Sequence, residues 1–218
     1  MKWKVRTVLV LSAHTDDMEI GAGATVRRFV ESGAKVKSVV FSDCKESVDT
    51  SRYPVDILRK ECKAAATHLG IEDLTILDFP VRHFPSKRQD ILETIYSLRK
   101  ETHYDLVLTS WQGDLHQDHR VVAEESLRAF MKQDTTVLSY PIPGNCPDFA
   151  PHLYVPVEAE AMQKKIDLLH NYESQVVRRG YFDETAIRGW MAHFGLYIGK
   201  PYAEAFMVHK VIIDDFKD

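Results

Sequence analysis

Val5-Arg6-Thr7-Val8-Leu9-Val10-Leu11-Ser12-Ala13-His14-Thr15-Asp16-Asp17 is the stretch that decides the fold. Residues 5–12 are mostly β-branched or leucine with no regular polar alternation, the pattern of a strand covered on both faces in a parallel sheet. The same grammar repeats outward. Residues 25–32 place Val26, Phe29 and Val30 at helical spacing, and Gly33 stops them. Residues 35–42 read as a strand. Residues 55–69 read as a helix striped by Leu58, Cys62, Ala65 and Leu69, with Gly70 as its C-cap. A strand follows at 74–79. Ser86-Lys87-Arg88-Gln89 then has capping-box form and opens a helix with Ile91, Ile95 and Leu98 on one side. Residues 106–109 give a fourth strand, 119–131 a helix aligned on Ala123, Leu127 and Phe130, and 136–140 a fifth strand. Strict alternation of this kind implies an α/β fold, a Rossmann-like, doubly wound and mostly parallel sheet.

The texture changes at Pro141. Five prolines and glycines (Pro141, Pro143, Gly144, Pro147, Pro151) mark an irregular segment. A short strand at 152–157, a helix at 158–172 with Met162, Ile166 and Leu169 inward, and a closing strand at 203–213 complete the chain. Residues 1–218 therefore read as one domain, with a Rossmann-like core over 1–140 and a C-terminal cap and closing strand over 141–218. The 218 residues, 25.0 kDa, suit that reading, since a chain this long buries roughly 70% of its extended surface.

Composition narrows the function. Hydrophobic residues make up 44% and charged residues 28%, which excludes disorder and coiled coil. A net charge of -4 argues against nucleic acid and against anionic membrane as partners. Cys44, Cys62 and Cys146 are too few and scattered for a disulfide frame or a cysteine zinc site. Met1-Lys2-Trp3-Lys4 ahead of the first apolar run mimics a signal peptide, but Arg6 interrupts that run and it is short. The expectation is a soluble, cytoplasmic protein without stable membrane insertion.

Two clusters carry chemistry, each where a parallel strand ends. His14-Thr15-Asp16-Asp17 follows the first strand, and Asp114-Leu115-His116-Gln117-Asp118-His119 follows the fourth. Ligands of open α/β sheets sit beyond the carboxyl ends of the strands, where strand order reverses. An order beginning 3-2-1-4 would bring both clusters to one crevice. Two imidazoles and one carboxylate form an open zinc site whose fourth position takes water. That leaves Asp16 or Asp17 as a base beside the metal, and His116 or His119 to hold a developing oxyanion. Gly21-Ala22-Gly23 invites a dinucleotide reading, but Val26 stands where the third glycine belongs, and two carboxylates at the turn would repel a pyrophosphate.

With these residues on the page, the chain resembles the LmbE-like, or PIG-L-type, N-acetylglucosaminyl deacetylase family. Ala13-His14-Thr15-Asp16-Asp17-Met18-Glu19-Ile20-Gly21 is similar to its Ala-His-Pro-Asp-Asp-Glu signature, and His116-Gln117-Asp118-His119 to its second motif. Arg59-Lys60-Glu61 with Leu69-Gly70, Tyr172-Glu173-Ser174-Gln175 and Tyr202-Ala203-Glu204-Ala205-Phe206 support the match. The resemblance implies His14, Asp17 and His119 as metal ligands, Asp16 as general base, His116 as oxyanion donor and acid acting in protonated form, and Asp118 as a residue orienting an imidazole. It implies a divalent metal, zinc or ferrous iron, and a hydrolase that removes acetyl from an N-acetylated amino sugar of the GlcNAc type or its glycoconjugate. It also implies association into homotrimers or homohexamers. The alternatives are an amidase acting on another small amide, and a non-catalytic sugar- or nucleotide-binding module. Two departures stand out: Thr15 replaces the usual proline, so its hydroxyl is expected to stiffen the turn, and Glu19 is displaced by one residue.

Asp43, Arg59, Arg82 and Trp111 are the candidate substrate contacts. Each also has a plainer reading: Asp43 as a turn cap, Arg59 on a solvated helix face, Arg82 as an ordinary loop residue, and Trp111 in packing.

Overall fold

The computed structural model describes residues 5–176 and 178–213, the side chain of Tyr181 excepted. Met1-Lys2-Trp3-Lys4, weighed above as the head of a signal peptide, lies outside the described residues. The chain runs β1 (Thr7–Ser12), α1 (Asp17–Glu31), β2 (Lys35–Val40), α2 (Ile57–Leu69), β3 (Asp73–Ile76), α3 (Arg88–Glu101) and β4 (Leu106–Ser110). It continues through α4 (Gln117–Phe130), β5 (Thr136–Tyr140), β6 (Leu153–Val157), α5 (Ala159–Leu169), α6 (Glu173–Val176), α7 (Glu184–Leu196) and β7 (Tyr202–Lys210). The strands form one sheet in the order β3-β2-β1-β4-β5-β7-β6. The first five are parallel, and β7 runs antiparallel to both its neighbours.

The apolar run of β1 is explained by its two covered faces. Val8 and Val10 enter the core beneath α1, α2, α5 and α7, while Leu9 and Leu11 enter the core beneath α3 and α4. All four are fully buried, so neither face has room for a polar alternate. The expected 3-2-1-4 order is present, and it puts the crevice between β1 and β4.

Three local expectations need correction. The first helix begins at Asp17, eight residues earlier than its apolar stripe suggested. Gly21 and Gly23 are poor helix formers and disguise it, but close packing requires them. A Cβ on Gly21 would lie 2.3 Å from Tyr140 Cδ2, and one on Gly23 3.1 Å from Leu168 Cδ2. Gly21→Ala is therefore expected to destabilise the fold by about 1–3 kcal/mol in a denaturant melt; an unchanged midpoint would show that Tyr140 yields freely. Secondly, the capping box does not form. Residues Phe84–Lys87 make a 3-10 turn with proline in its first positions, the Ser86 hydroxyl donates to His83 O at 2.8 Å, and α3 starts at Arg88 with no side-chain cap. Thirdly, α7 was not anticipated. Asp183 caps it by accepting from Ala186 N at 3.1 Å, and Ile187, Met191 and Phe194 form its buried face. No helix among the described residues is long and apolar enough to cross a membrane.

Candidate functional site

The loop after β1 is held in place from both sides. The Asp17 carboxylate accepts from His14 N at 2.8 Å, and the Tyr172 hydroxyl donates to the Thr15 carbonyl. Tyr172 thus braces the turn where the family has proline. Glu19, whose role the sequence left open, is buried against the Tyr172 hydroxyl, and burial pushes its carboxyl up to about 8.

The loop after β4 is ordered by its own acids. Asp114, 1% exposed, accepts from His116 N at 2.7 Å through one oxygen and meets His119 Nδ1 at 2.8 Å through the other. Asp118 meets His14 Nε2 at 3.1 Å, and the same oxygen accepts from Arg82 N at 2.6 Å. Its other oxygen accepts from Phe84 N at 3.3 Å. Arg82 has a left-handed φ of 70°, a conformation that costs a non-glycine residue about 1–3 kcal/mol. The bonds from Asp118 and from the Gln117 side-chain amide to the Arg82 backbone hold it there.

These bonds aim three atoms at one point. His14 Nδ1 lies 2.9 Å from His119 Nε2, His119 Nε2 lies 3.2 Å from Asp17 Oδ1, and Asp17 Oδ1 lies 3.7 Å from His14 Nδ1. A tetrahedral ion held at about 2.1 Å separates its ligand atoms by about 3.4 Å, and the three edges bracket that value. Each imidazole engages a carboxylate through its other nitrogen, the arrangement that orients metal-binding histidines. The donor set therefore fits a divalent cation. His116 completes a cluster in which one atom of each of the three imidazoles lies within 4.8 Å of the others. The Asp17 set forms the tighter triangle, with every edge under 4 Å, and it includes the anion that offsets a cation's charge.

The electrostatics agree. Burial opposes charge on His119, yet Asp17 and Asp114 outweigh it and raise the ring to about 10. His14 is raised in the same way, with Asp17 and Asp118 overcoming burial. Asp17 is held far below the usual carboxylate range by His119 and His14, against the cost of burial. Asp17, Asp114 and Asp118 thus favour positive charge on His14 and His119. Asp16, the N-cap of α1, lies outside the triangle. Burial and then Asp17 raise it to about 6, with His14 and Arg179 opposing.

His116 differs from the other two imidazoles of the cluster. Burial, followed by the charges of His14 and His119, pushes it down to about 4. Its Nδ1 accepts the Asp118 N–H at 3.2 Å, which puts the proton of the neutral ring on Nε2. In that tautomer the neutral ring offers its Nε2–H as a donor.

The cleft, about 270 Å³, is lined by His14, Asp16, Asp17, His116 and His119 together with Arg82. Asp43, Arg59 and Trp111 do not line it. The Asp43 carboxylate accepts from Lys45 N at 3.3 Å as a turn cap. The Arg59 guanidinium donates to Ile76 O at 2.9 and 3.2 Å, tying α2 to the end of β3. Trp111 packs edge-on against Phe149 at 5.4 Å. In their place the wall gains Asn145, Gln175 and Arg179, which the sequence reading missed as site residues. The signal for Gln175 was the Tyr172-Glu173-Ser174-Gln175 match. Buried Glu61 accepts from Ser174 N at 2.8 Å and from its hydroxyl at 2.6 Å, which brings the Arg59-Lys60-Glu61 and Tyr172–Gln175 stretches together.

Comparison with known proteins gives the family. The family model described as "PIG-L: GlcNAc-PI de-N-acetylase" matches residues 9–130, and the chain belongs to that family. An uncharacterized deacetylase, YaiS, of Escherichia coli (strain K12) is 24% identical across 78% of this chain and 92% of its own. A diacetylchitobiose deacetylase of Thermococcus kodakarensis is 25% identical across 92% of this chain and 82% of its own. Among solved structures, N,N'-diacetylchitobiose deacetylase from Pyrococcus horikoshii superimposes with a TM-score of 0.80 at 21% identity, covering 94% of this chain and 84% of that one. At that identity the likeness speaks for the fold.

Proposed function

We propose that this protein is a metal-dependent N-deacetylase that hydrolyses the acetamide of an N-acetylated amino sugar, of the GlcNAc type, or of its glycoconjugate. The observation that carries the reading is the triangle of His14 Nδ1, His119 Nε2 and Asp17 Oδ1, backed by Asp118 and Asp114. Family membership and the names of the two relatives supply the direction of the chemistry. Bound there, a divalent cation, zinc or ferrous iron, would supply Lewis-acid activation of water and of the amide carbonyl.

The chain's own groups do the rest. Asp16 takes a proton from the attacking water. The His116 Nε2–H donates to the amide oxygen as it gains negative charge. A neutral imidazole is a poor proton source, so Asp16, protonated by the first step, returns its proton to the departing amine. Acetate and a free amino sugar leave. Arg82 and Arg179, on the cleft wall, would grip sugar hydroxyls or a phosphate.

The test is acetate release from a panel of N-acetylhexosamine conjugates, abolished by a chelator and restored by zinc, cobalt or ferrous ion. A protein that releases no acetate from any of them, yet binds a sugar nucleotide without metal, would be the non-catalytic module instead. Release from simple amides alone would indicate the amidase.

Metal loading has its own proton count. The raised His119 ring must lose its proton before it can donate a lone pair, so its charge gives way to the metal's. Calorimetry at pH 7 in buffers of differing ionisation heat should show at least one proton released per zinc bound, with affinity weakening as pH falls. Loading with no proton release would mean that His119 is already neutral and that Asp17 and Asp114 do not hold it charged.

A further inference from the structure

Against the middle of α1 lies a buried ion pair that the proposed chemistry does not use. Lys165, on α5, and Glu204, on β7, meet at 2.5 Å with their side chains 0% and 1% exposed. Both also reach into the backbone of α1. Lys165 Nζ donates to Ile20 O at 2.6 Å, while Glu204 accepts from Ala24 N at 2.9 Å and from Thr25 N at 2.7 Å. In a regular α-helix the Ala24 N–H points at Ile20 O, and the Thr25 N–H at the carbonyl of residue 21. Here the carbonyl accepts from the ammonium, the two N–H groups donate to the carboxylate, and the two side chains bond each other. The pair spans the helix ladder at the turn that contains Gly21 and Gly23, where the helix is intrinsically weakest.

This place in α1 matters because of what precedes it. One turn earlier are Asp17, a corner of the triangle, and Asp16, the proposed base. Ile20 itself lines the cleft. Bridging hydrogen bonds at residues 20, 24 and 25 anchor that first turn to α5 and β7, two elements that contribute no side chain to the triangle. Two charges buried this deeply are costly unless they are fully partnered, and every contact named above serves to partner them.

We infer that Lys165 and Glu204 are positioning residues: an ionic clamp on α1 that sets the orientation of its first turn, and so the placement of Asp16 and Asp17. The effect on turnover rests on the deacetylase reading. The effect on the helix does not.

The double variant K165M/E204Q tests it, because it replaces both charges with neutral side chains of similar shape and leaves no buried charge unpaired. E204A, which strands Lys165, serves as the harsher comparison if it folds. In K165M/E204Q, hydrogen exchange of the amides at residues 17–20 should quicken at least tenfold while residues 26–31 exchange as before. Zinc affinity, measured by chelator competition, should weaken about tenfold, and the absorption bands of the cobalt form should shift. Turnover should fall 10–100-fold with KM within twofold, since a small misplacement remote from the chemistry has costs of that size. A folded K165M/E204Q with wild-type exchange at 17–20 and wild-type zinc affinity would overturn the clamp and leave the pair a purely structural feature. Exchange is read without substrate or metal. A wild-type chain that binds neither zinc nor ferrous ion would therefore sink the deacetylase reading, while the exchange rates alone still decided the clamp.

Discussion

Asp16→Asn is expected to lower kcat by about 10²–10⁴-fold with bound metal unchanged, the range for removing an acid–base group. The amide matches the carboxylate in shape and cannot take a proton from water. Asp16 also predicts the acid limb of the pH profile. Burial and Asp17 raise its pKa to about 6, and only the ionised form is a base. Activity is therefore present above that pKa and lost as pH falls through it, and a cation in the triangle moves the limb lower still. The limb should vanish in Asp16→Asn. His116→Ala should cost a comparable factor in kcat without moving the basic limb, because His116 is already neutral well below pH 7. A basic limb that shifts in this variant would restore the protonated role to His116.

Asp17→Ala and His119→Ala are expected to empty the site. Each removes a corner of the triangle, and Asp17→Ala also frees the His14 N–H and strips His119 of a counter-charge. Loss of an outer partner typically costs 10–100-fold in metal affinity, so Asp114→Asn should fall in that range and the ligand variants beyond it. Metal content by elemental analysis, beside chelator competition, separates these grades. If Asp16→Ala emptied the site while Asp17→Ala stayed loaded, ligand and base would have to exchange roles.

How much of this was legible in the sequence follows from how local each cause is. The runs of β1, β4 and β5 were readable because strands buried on both faces are mostly apolar, and β2 shares this over its buried second half. The two clusters were readable because both sit at strand ends, where topology brings distant segments together; which of their residues would hold a metal was implied by the family resemblance alone. α1 was half hidden because its first turns carry carboxylates and glycines, chosen for the site and for packing against Tyr140 rather than for helix propensity. Asp43, Arg59 and Trp111 lie off the cleft wall, because nearness to a strand end says nothing of where a side chain points. Asn145, Gln175 and Arg179 arrive from the segment beyond Pro141, whose path depends on contacts such as Glu61 with Ser174. No local pattern announces such a contact.

The order in which the ribosome delivers these parts gives the antiparallel β7 a further significance. Glu204 is made 180 residues after Ala24, the amide it receives, and β7 must slide between β5 and β6 to bring it there. The five parallel strands are all synthesised earlier and have the contacts to associate first. A nascent chain arrested before β7 should therefore hold both histidine loops and much of the sheet, yet lack the bridge across α1. Long-range closure of this kind is the slow part of folding, so on the reading proposed above the zinc affinity of the nascent chain should rise about tenfold once β7 has left the exit tunnel.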